Sequence, residues 1–315
     1  MIEKKLGKAT RDAYGQVLVE LGRENQDIVV LDADLSKSTK SAEFQKNFPD
    51  RFFNVGIMEA NMCGVASGLA ASGKIPFISS FATFLISKGY DQLRMGVAFS
   101  ELNVKVVGSH GGISVGEDGA SQMSIEDLAL TSTLPGFRVL VPSDEVSARV
   151  LIREAALTNG PVFIRTGRPK APLVHAKADG IKIGKGVRLR DGKDVSIIAN
   201  GLLVFEALAA ADQLQSEGIS AAVVDMHTIK PLDEALLAEE SKRTGHIVVA
   251  EEHQIWGGLG SNCARVLAEK APCRMEFVAI QDTFAESGQP DELFDKYGLS
   301  APHIVKAAKK VMGRS

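Results

Sequence analysis

Cysteine is scarce in this chain. Its three residues, Cys63, Cys263 and Cys273, show no paired spacing, which excludes a disulfide framework or a cysteine-built zinc site and suits a reduced cytoplasmic compartment. An excess of either charge is also missing. The net charge of −3 gives no electrostatic reason to expect nucleic acid or an anionic membrane as partner. Long hydrophobic runs are lacking too: the most apolar region, residues 65–86, is broken by Lys74, Pro76 and several serines, so no membrane span is expected. Behind Met1-Ile2-Glu3-Lys4-Lys5 there is no apolar core of the kind a signal peptide needs. There is no low-complexity segment and no convincing internal repeat. What is present is ordinary, with 45% hydrophobic and 24% charged residues over 315 positions, a globular composition comfortable for two domains.

Short apolar runs alternate with segments of helical period. Strands are expected at 27–32, 52–53, 75–79, 104–108, 138–141 and 162–166. Helices are expected at 9–21 with Thr10 as a possible cap, and at 62–71, 84–98, 124–132 and 143–157, the last capped by Ser143. This alternation indicates a parallel sheet covered on both faces. From Pro169 to Lys185 the periodicity fails, with Pro169, Pro172, Gly180 and Gly184 in a short space, the composition of a linker. A second pattern follows, with strands at 195–199, 221–225, 247–251 and 276–280 between helices at 203–216, 232–243, 260–270 and 301–311. The expected fold is α/β in two three-layer domains, 1–170 and 186–315, joined by a linker at 171–185. The second domain is the smaller and mostly parallel.

The richest stretch runs from Asn54 to Asp127. Glu59 follows the Phe52-Phe53 strand signal and stands just ahead of a helix of small residues. A glutamate in a first helical turn is favoured by the helix dipole, by about 0.3–1 kcal/mol, with no functional role. Its neighbours Gly56, Ala60 and Met62 allow a second reading, a poorly solvated carboxylate able to share a proton with a ring nitrogen. His110 sits among five glycines in the twelve positions from Gly108 to Gly119. Such a loop lets backbone amides approach a ligand, although a flexible surface loop has the same composition. Phe81, Phe84 and Tyr90 fit a core as readily as a shelf for a ring. Arg165 and Arg168 lie at a strand end, where guanidinium groups can fork onto phosphate. Arg11 reads as a surface residue unless a phosphate is present.

Together these segments resemble the transketolase family, in its C-terminal half, over nearly the whole chain. The resemblance rests on Ala9-Thr10-Arg11-Asp12-Ala13-Tyr14-Gly15, Gly56-Ile57-Met58-Glu59 and Gly108-Ser109-His110, and above all on the run from Gly116-Glu117-Asp118-Gly119 through Gln122 to Asp127-Leu128. Thr228-Ile229-Lys230-Pro231-Leu232-Asp233 and Glu251-Glu252-His253 extend it into the second domain. It implies a pyrimidine-binding domain for thiamine diphosphate, followed by the family's C-terminal domain. Glu59 looks like the glutamate that hydrogen-bonds the aminopyrimidine ring and favours its imino tautomer. Phe81 and Phe84 match the aromatic positions around that ring, and Gln122 stands where many members carry a second histidine. His110, a catalytic candidate with Glu59, and Asp118 match contacts to sugar hydroxyls. Arg11, Ser38 and Arg165 match the cradle for a terminal phosphate, with Arg165 preferred to Arg168 for its spacing from Pro169.

The family binds the diphosphate and Mg²⁺ or Ca²⁺ through a Gly-Asp-Gly motif and asparagines, and this chain contains neither that triplet nor an Asn-Asn pair. The resemblance therefore implies one subunit of a split transketolase, completed by an N-terminal subunit that carries the metal site. The expected assembly is a heterotetramer with two copies of each chain, moving a ketol unit between sugar phosphates, as in pentose phosphate metabolism. The alternatives are the beta subunit of a 2-oxo acid dehydrogenase and a non-catalytic α/β partner subunit.

Overall fold

The apolar runs become strands because both of their faces are covered. In a computed structural model describing residues 2–314, the chain forms β1 (Ile28–Asp32), β2 (Phe52–Asn54), β3 (Ile75–Phe81), β4 (Lys105–Ser109), β5 (Arg138–Leu140) and β6 (Val162–Thr166). It continues with β7 (Val187–Arg190), β8 (Val195–Ala199), β9 (Ala221–Asp225), β10 (Thr228–Lys230), β11 (His246–Gln254) and β12 (Arg274–Ile280). Every residue of β1, β4, β6, β8 and β9 is buried, as a sheet between two helix layers requires.

The covering helices of the first half are α1 (Thr10–Glu24), α2 (Ser36–Thr39), α3 (Ala42–Asn47), α4 (Glu59–Ala71), α5 (Ala82–Gln92), α6 (Asp127–Thr133) and α7 (Glu145–Leu157). Those of the second are α8 (Leu203–Ser216), α9 (Glu234–Thr244), α10 (Leu259–Lys270), α11 (Pro290–Lys296) and α12 (Ala301–Val311). Among the described residues no helix is long and apolar enough to cross a membrane.

The seven-stranded sheet runs β10-β5-β6-β4-β3-β1-β2 and the five-stranded sheet β12-β11-β8-β9-β7. All pairings are parallel except the outer β10–β5 and β7–β9 pairs. In the first sheet the chain steps from β1 to β2 on one side, then returns to build β3, β4 and β6 on the other. The crevice at the carboxyl ends beside such a reversal is where open α/β sheets place ligands.

Several local expectations change. Helix α4 starts at Glu59, three residues early, because Gly56 turns the chain with φ +73° and a carboxylate is welcome at the helix start. Thr10 does not cap α1; its hydroxyl instead accepts the Gly167 N–H at 2.7 Å and pins the helix to the end of β6. Tyr90 joins α5 to α6 through a 2.7 Å bond with Thr133, away from the aromatic shelf. The cap of α7 is Asp144, not Ser143, in a reciprocal capping box with Ser147.

The aperiodic segment is less free than its composition suggests. Gly7 donates to the Ala171 carbonyl and Leu173 to that of Lys5, both at 2.9 Å. The buried ring of His175 lies 3.3 Å from Asp144 and 3.4 Å from Asp225 at the end of β9. Strand β10, which was not expected, crosses from the second half to extend the first sheet. One apolar cluster runs from Met62 and Ile78 through Val139 and Met226 to Ile247 and Val266, so both halves share a core.

Asp144 concentrates this tethering, accepting from Ser147 N (2.8 Å), Val174 N (3.0 Å) and His175 N (2.9 Å). Burial pushes its carboxyl up, but the hydrogen bond and charge of His175, with the amides of Ser147 and His175, win and hold it at about 2. A depressed folded pKa contributes stability that is present above about pH 4 and lost as pH falls toward 2. Asp144→Ala should therefore destabilise the chain by about 2–4 kcal/mol near neutrality. The difference from the parent should shrink between pH 4 and 2, as read from urea midpoints.

Candidate active site

Three neighbouring strand ends build the site. At the end of β1, the fully buried Asp32 accepts from Leu35 N (2.6 Å), Thr39 Oγ1 (2.7 Å) and Ser41 Oγ (2.8 Å). Those bonds fold the polar turn and place the Ser38 carbonyl, which accepts Arg11 Nη1 at 3.0 Å. Strand β3 ends in Ser80 and Phe81, and β4 in Ser109 with His110 directly behind it.

Glu59 is only 2% exposed. Ser80 Oγ and Lys88 Nζ each approach its carboxylate at 3.4 Å, beyond good hydrogen-bond distance. A carboxylate has about four lone-pair sites, so most of its accepting capacity is unused. Lys88 lies 4.7 Å over the ring of Phe84. Phe84 stacks on Phe81 with centroids 5.7 Å apart, and Phe81 stacks on His110 at 3.8 Å. The result is a flat aromatic wall with a carboxylate at one end and an imidazole at the other.

The backbone of His110 is left-handed, φ +59°, uncommon for a residue with a side chain. Its Nε2 is 3.2 Å from Arg11 Nη1 and its Nδ1 2.8 Å from Ser109 Oγ. Arginine only donates, so Nε2 is the acceptor and Nδ1 carries the proton. Burial pushes the imidazolium pKa down to about 3, helped by the charges of Arg11, Arg168 and Lys40. The ring is neutral at pH 7. Those three cations put positive charge around it; Lys40 pairs with Asp12 at 3.3 Å, and Arg11 also feels the charge of Asp118.

Of the residues expected from the sequence, Glu59, Phe81, Phe84, His110, Arg11 and Ser38 form one continuous row, with the exposed Asp118 beside it. Gln122 is half-buried and bonds locally, accepting from Ser121 and donating to the Gly119 carbonyl.

Arg165 is a correction. Its guanidinium is 5% exposed and committed to Asp127, through Nε at 2.8 Å and through Nη2, and to the Glu252 carbonyl at 2.7 Å. Four of its five N–H groups are engaged inside the protein, so the buried group is committed to the scaffold. Arg168, half-buried beyond Gly167 and anchored on the Val115 carbonyl and Glu117, is the arginine of this strand end whose charge reaches His110. The signal was available: Arg165 stands inside a buried strand, where a charge needs an internal partner, and Arg168 stands after its end. Lys40, Ser80 and Lys88 carried no motif and were missed. Among the described residues no three His, Cys, Asp or Glu side chains converge as cation ligands.

Comparison with known proteins decides the family. The transketolase pyrimidine binding domain matches residues 7–173, and the transketolase C-terminal domain matches residues 184–304. The chain belongs to the transketolase family. It is 43% identical to a transketolase C-terminal section of Methanocaldococcus jannaschii, over 97% of this chain and 96% of that one. It is 41% identical to a 6-deoxy-6-sulfo-D-fructose transketolase subunit of Clostridium, over 96% and 94%. A solved structure described as a split gene transketolase, inactive β4 tetramer, superposes with a TM-score of 0.91 at 48% identity, covering 98% of this chain and 99% of that one. A transketolase-type subunit with two α/β domains accounts for both halves, and the 2-oxo acid dehydrogenase alternative is not favoured.

The Arg165 assignment has a direct consequence for stability. Arg165→Ala leaves Asp127 buried without its cation and should cost about 3–5 kcal/mol. Arg168→Ala, in the loop beyond the strand, should stay within about 0.5 kcal/mol of the parent. Equilibrium denaturation of the two variants checks the contrast.

Proposed function

We propose that this chain is the C-terminal subunit of a split transketolase, the half that grips the thiamine ring and meets the sugar. The observation that carries the reading is the row from Glu59 through Phe84 and Phe81 to His110, opening onto Arg11, Lys40 and Arg168. A flat apolar wall ending in a buried, under-donated carboxylate fits an aminopyrimidine, whose faces are apolar and whose edge donates. Thiamine diphosphate, when bound, supplies the electron sink for carbon–carbon bond cleavage.

The chain's own residues do the rest. Glu59 holds a proton at the pyrimidine edge, in a setting dry enough to make that hydrogen bond strong. Phe81 and Phe84 keep water from the ring face. The neutral His110 offers Nε2 to a sugar hydroxyl in exchange for its contact with Arg11, and Asp118 offers an acceptor nearby. Arg11, Lys40 and Arg168 meet an anionic group at the far end of the sugar, a phosphate on this reading. The Clostridium relative is named for a sulfonated ketose, which shows a related subunit associated with a different terminal anion.

The boundary between the domains falls within 171–185. The diphosphate and its Mg²⁺ or Ca²⁺ belong to an N-terminal partner subunit in a cytoplasmic heterotetramer with two copies of each chain, working on sugar phosphates as in pentose phosphate metabolism. That a solved relative of this half alone is described as inactive supports the requirement for a partner. The test is a coupled ketol-transfer assay of this chain alone and mixed with a chain bearing the Gly-Asp-Gly motif. Activity is expected only in the mixture, and turnover by the single chain would sink the split-enzyme reading.

Within the active mixture, Glu59→Ala should lower turnover at least about 100-fold, a barrier increase of about 2.7 kcal/mol or more, with assembly intact by size-exclusion chromatography. A loss below about tenfold would remove Glu59 from cofactor activation.

A further inference from the structure

The loop that carries His110 does not stand on its own domain alone. Glu252, in β11 of the C-terminal domain, is 6% exposed, and its Oε1 accepts the backbone N–H of Ser114 at 2.5 Å. Two glycines let the loop settle onto this support. Gly112 has φ +82°, and a Cβ there would overlap the carboxyl group of Glu252; a Cβ on Gly111 would overlap the side chain of Arg165. Arg165, clamped by Asp127, in turn donates to the Glu252 carbonyl at 2.7 Å. The Gly112 N–H closes the arrangement on the Ser124 carbonyl at 2.6 Å. The left-handed backbone of His110 is thus held from the residues just after it, as a strained conformation requires.

We infer that Glu252 is a positioning residue for ketol transfer: from the C-terminal domain it holds the glycine loop against Arg165 and so sets where His110 meets the sugar. The inference rests on the reading of His110 as a substrate contact. Burial pushes the Glu252 carboxyl up to about 7, partly offset by Arg165 and the Ser114 N–H. A group so unfavourable to bury is retained where it has a task. A residue that merely joined the domains would have no reason to place its acceptor on an amide four positions from the imidazole.

Hydrogen–deuterium exchange of the full chain reads the loop directly. In Glu252→Ala, peptides spanning 110–116 should exchange at least ~10-fold faster, with α7 and β8 unchanged. Glu252→Gln keeps an acceptor for the Ser114 N–H and should stay within ~3-fold of the parent. Glu252→Met preserves volume without an acceptor; it replaces Glu252→Ala if that variant does not fold and carries the same expectation. Parental loop exchange in the acceptor-less variant overturns the inference, whatever the enzyme does.

In the complex with its partner chain, Glu252→Met should lower kcat/KM about tenfold when His110 is present and less than ~2-fold in a His110→Ala background, because it acts through that histidine. Independent, multiplying losses would overturn it. An inactive parental complex would count against the functional reading, and the exchange measurement would still decide the role of Glu252 in holding the loop.

Discussion

Arg165 lies between the Asp127 carboxylate and the Glu252 carbonyl with 5% of its surface exposed, and a guanidinium so placed is tolerable only when its donors find acceptors. That requirement fixes several elements at once. Strand β6 supplies the arginine, α6 opens on its counter-ion, and β11 brings the carbonyl from the other domain. The glycine loop then lies on the aliphatic stem of Arg165, where Gly111 leaves room for it. Removing the charge would free Asp127 and unseat the loop together, so stability and site geometry are coupled here through one side chain.

The electrostatics of the site follow from crowding cations around an uncharged ring. Burial first, and then the charges of Arg11, Arg168 and Lys40, drive His110 to its neutral form. Neutrality makes Nε2 an acceptor, and Arg11 occupies it in the absence of a sugar. The same cations that help suppress the imidazolium put positive charge beside it, which favours an anionic tail. One cluster thereby bears on both the hydrogen-bonding sense of the histidine and the charge preference of the site.

Much of this was legible in the sequence, and the failures have physical causes. Strand runs such as Ile28–Asp32 and Val162–Thr166 are readable because each opens on three or four consecutive apolar residues, with the polar groups held to the carboxyl end. The row from Glu59 to His110 was reached because its residues fall in recognisable segments at successive strand ends. Strand β10 has one strongly apolar residue, Ile229, ahead of Pro231, and its partner β5 lies in the other half of the chain. Ser143 and Asp144 are both good caps by type; the reciprocal bonds with Ser147 and the demand of His175 and Val174 for the same carboxylate select Asp144. Arg165 was assigned by spacing from a proline, which says nothing about which side of the sheet end a side chain occupies. Lys40 and Lys88 act through position alone.

The contrast between adjacent buried carboxylates separates scaffold from chemistry more sharply than residue type does. Asp32 and Glu59 both sit beside the same crevice, both almost without exposure. Asp32 accepts from three donors between 2.6 and 2.8 Å, which uses most of its accepting capacity and makes it the fastening of a turn. Glu59 has two donors at 3.4 Å, and burying a carboxylate so poorly satisfied is unfavourable unless something else completes it. The arginines differ too: Arg165 is buried with Asp127 as its counter-ion, whereas Arg168 is half-buried, with Nη1 on the Val115 carbonyl and Nη2 near Glu117. The long donor distances at Glu59 mark that end of the crevice as a place where another molecule can complete the hydrogen bonding.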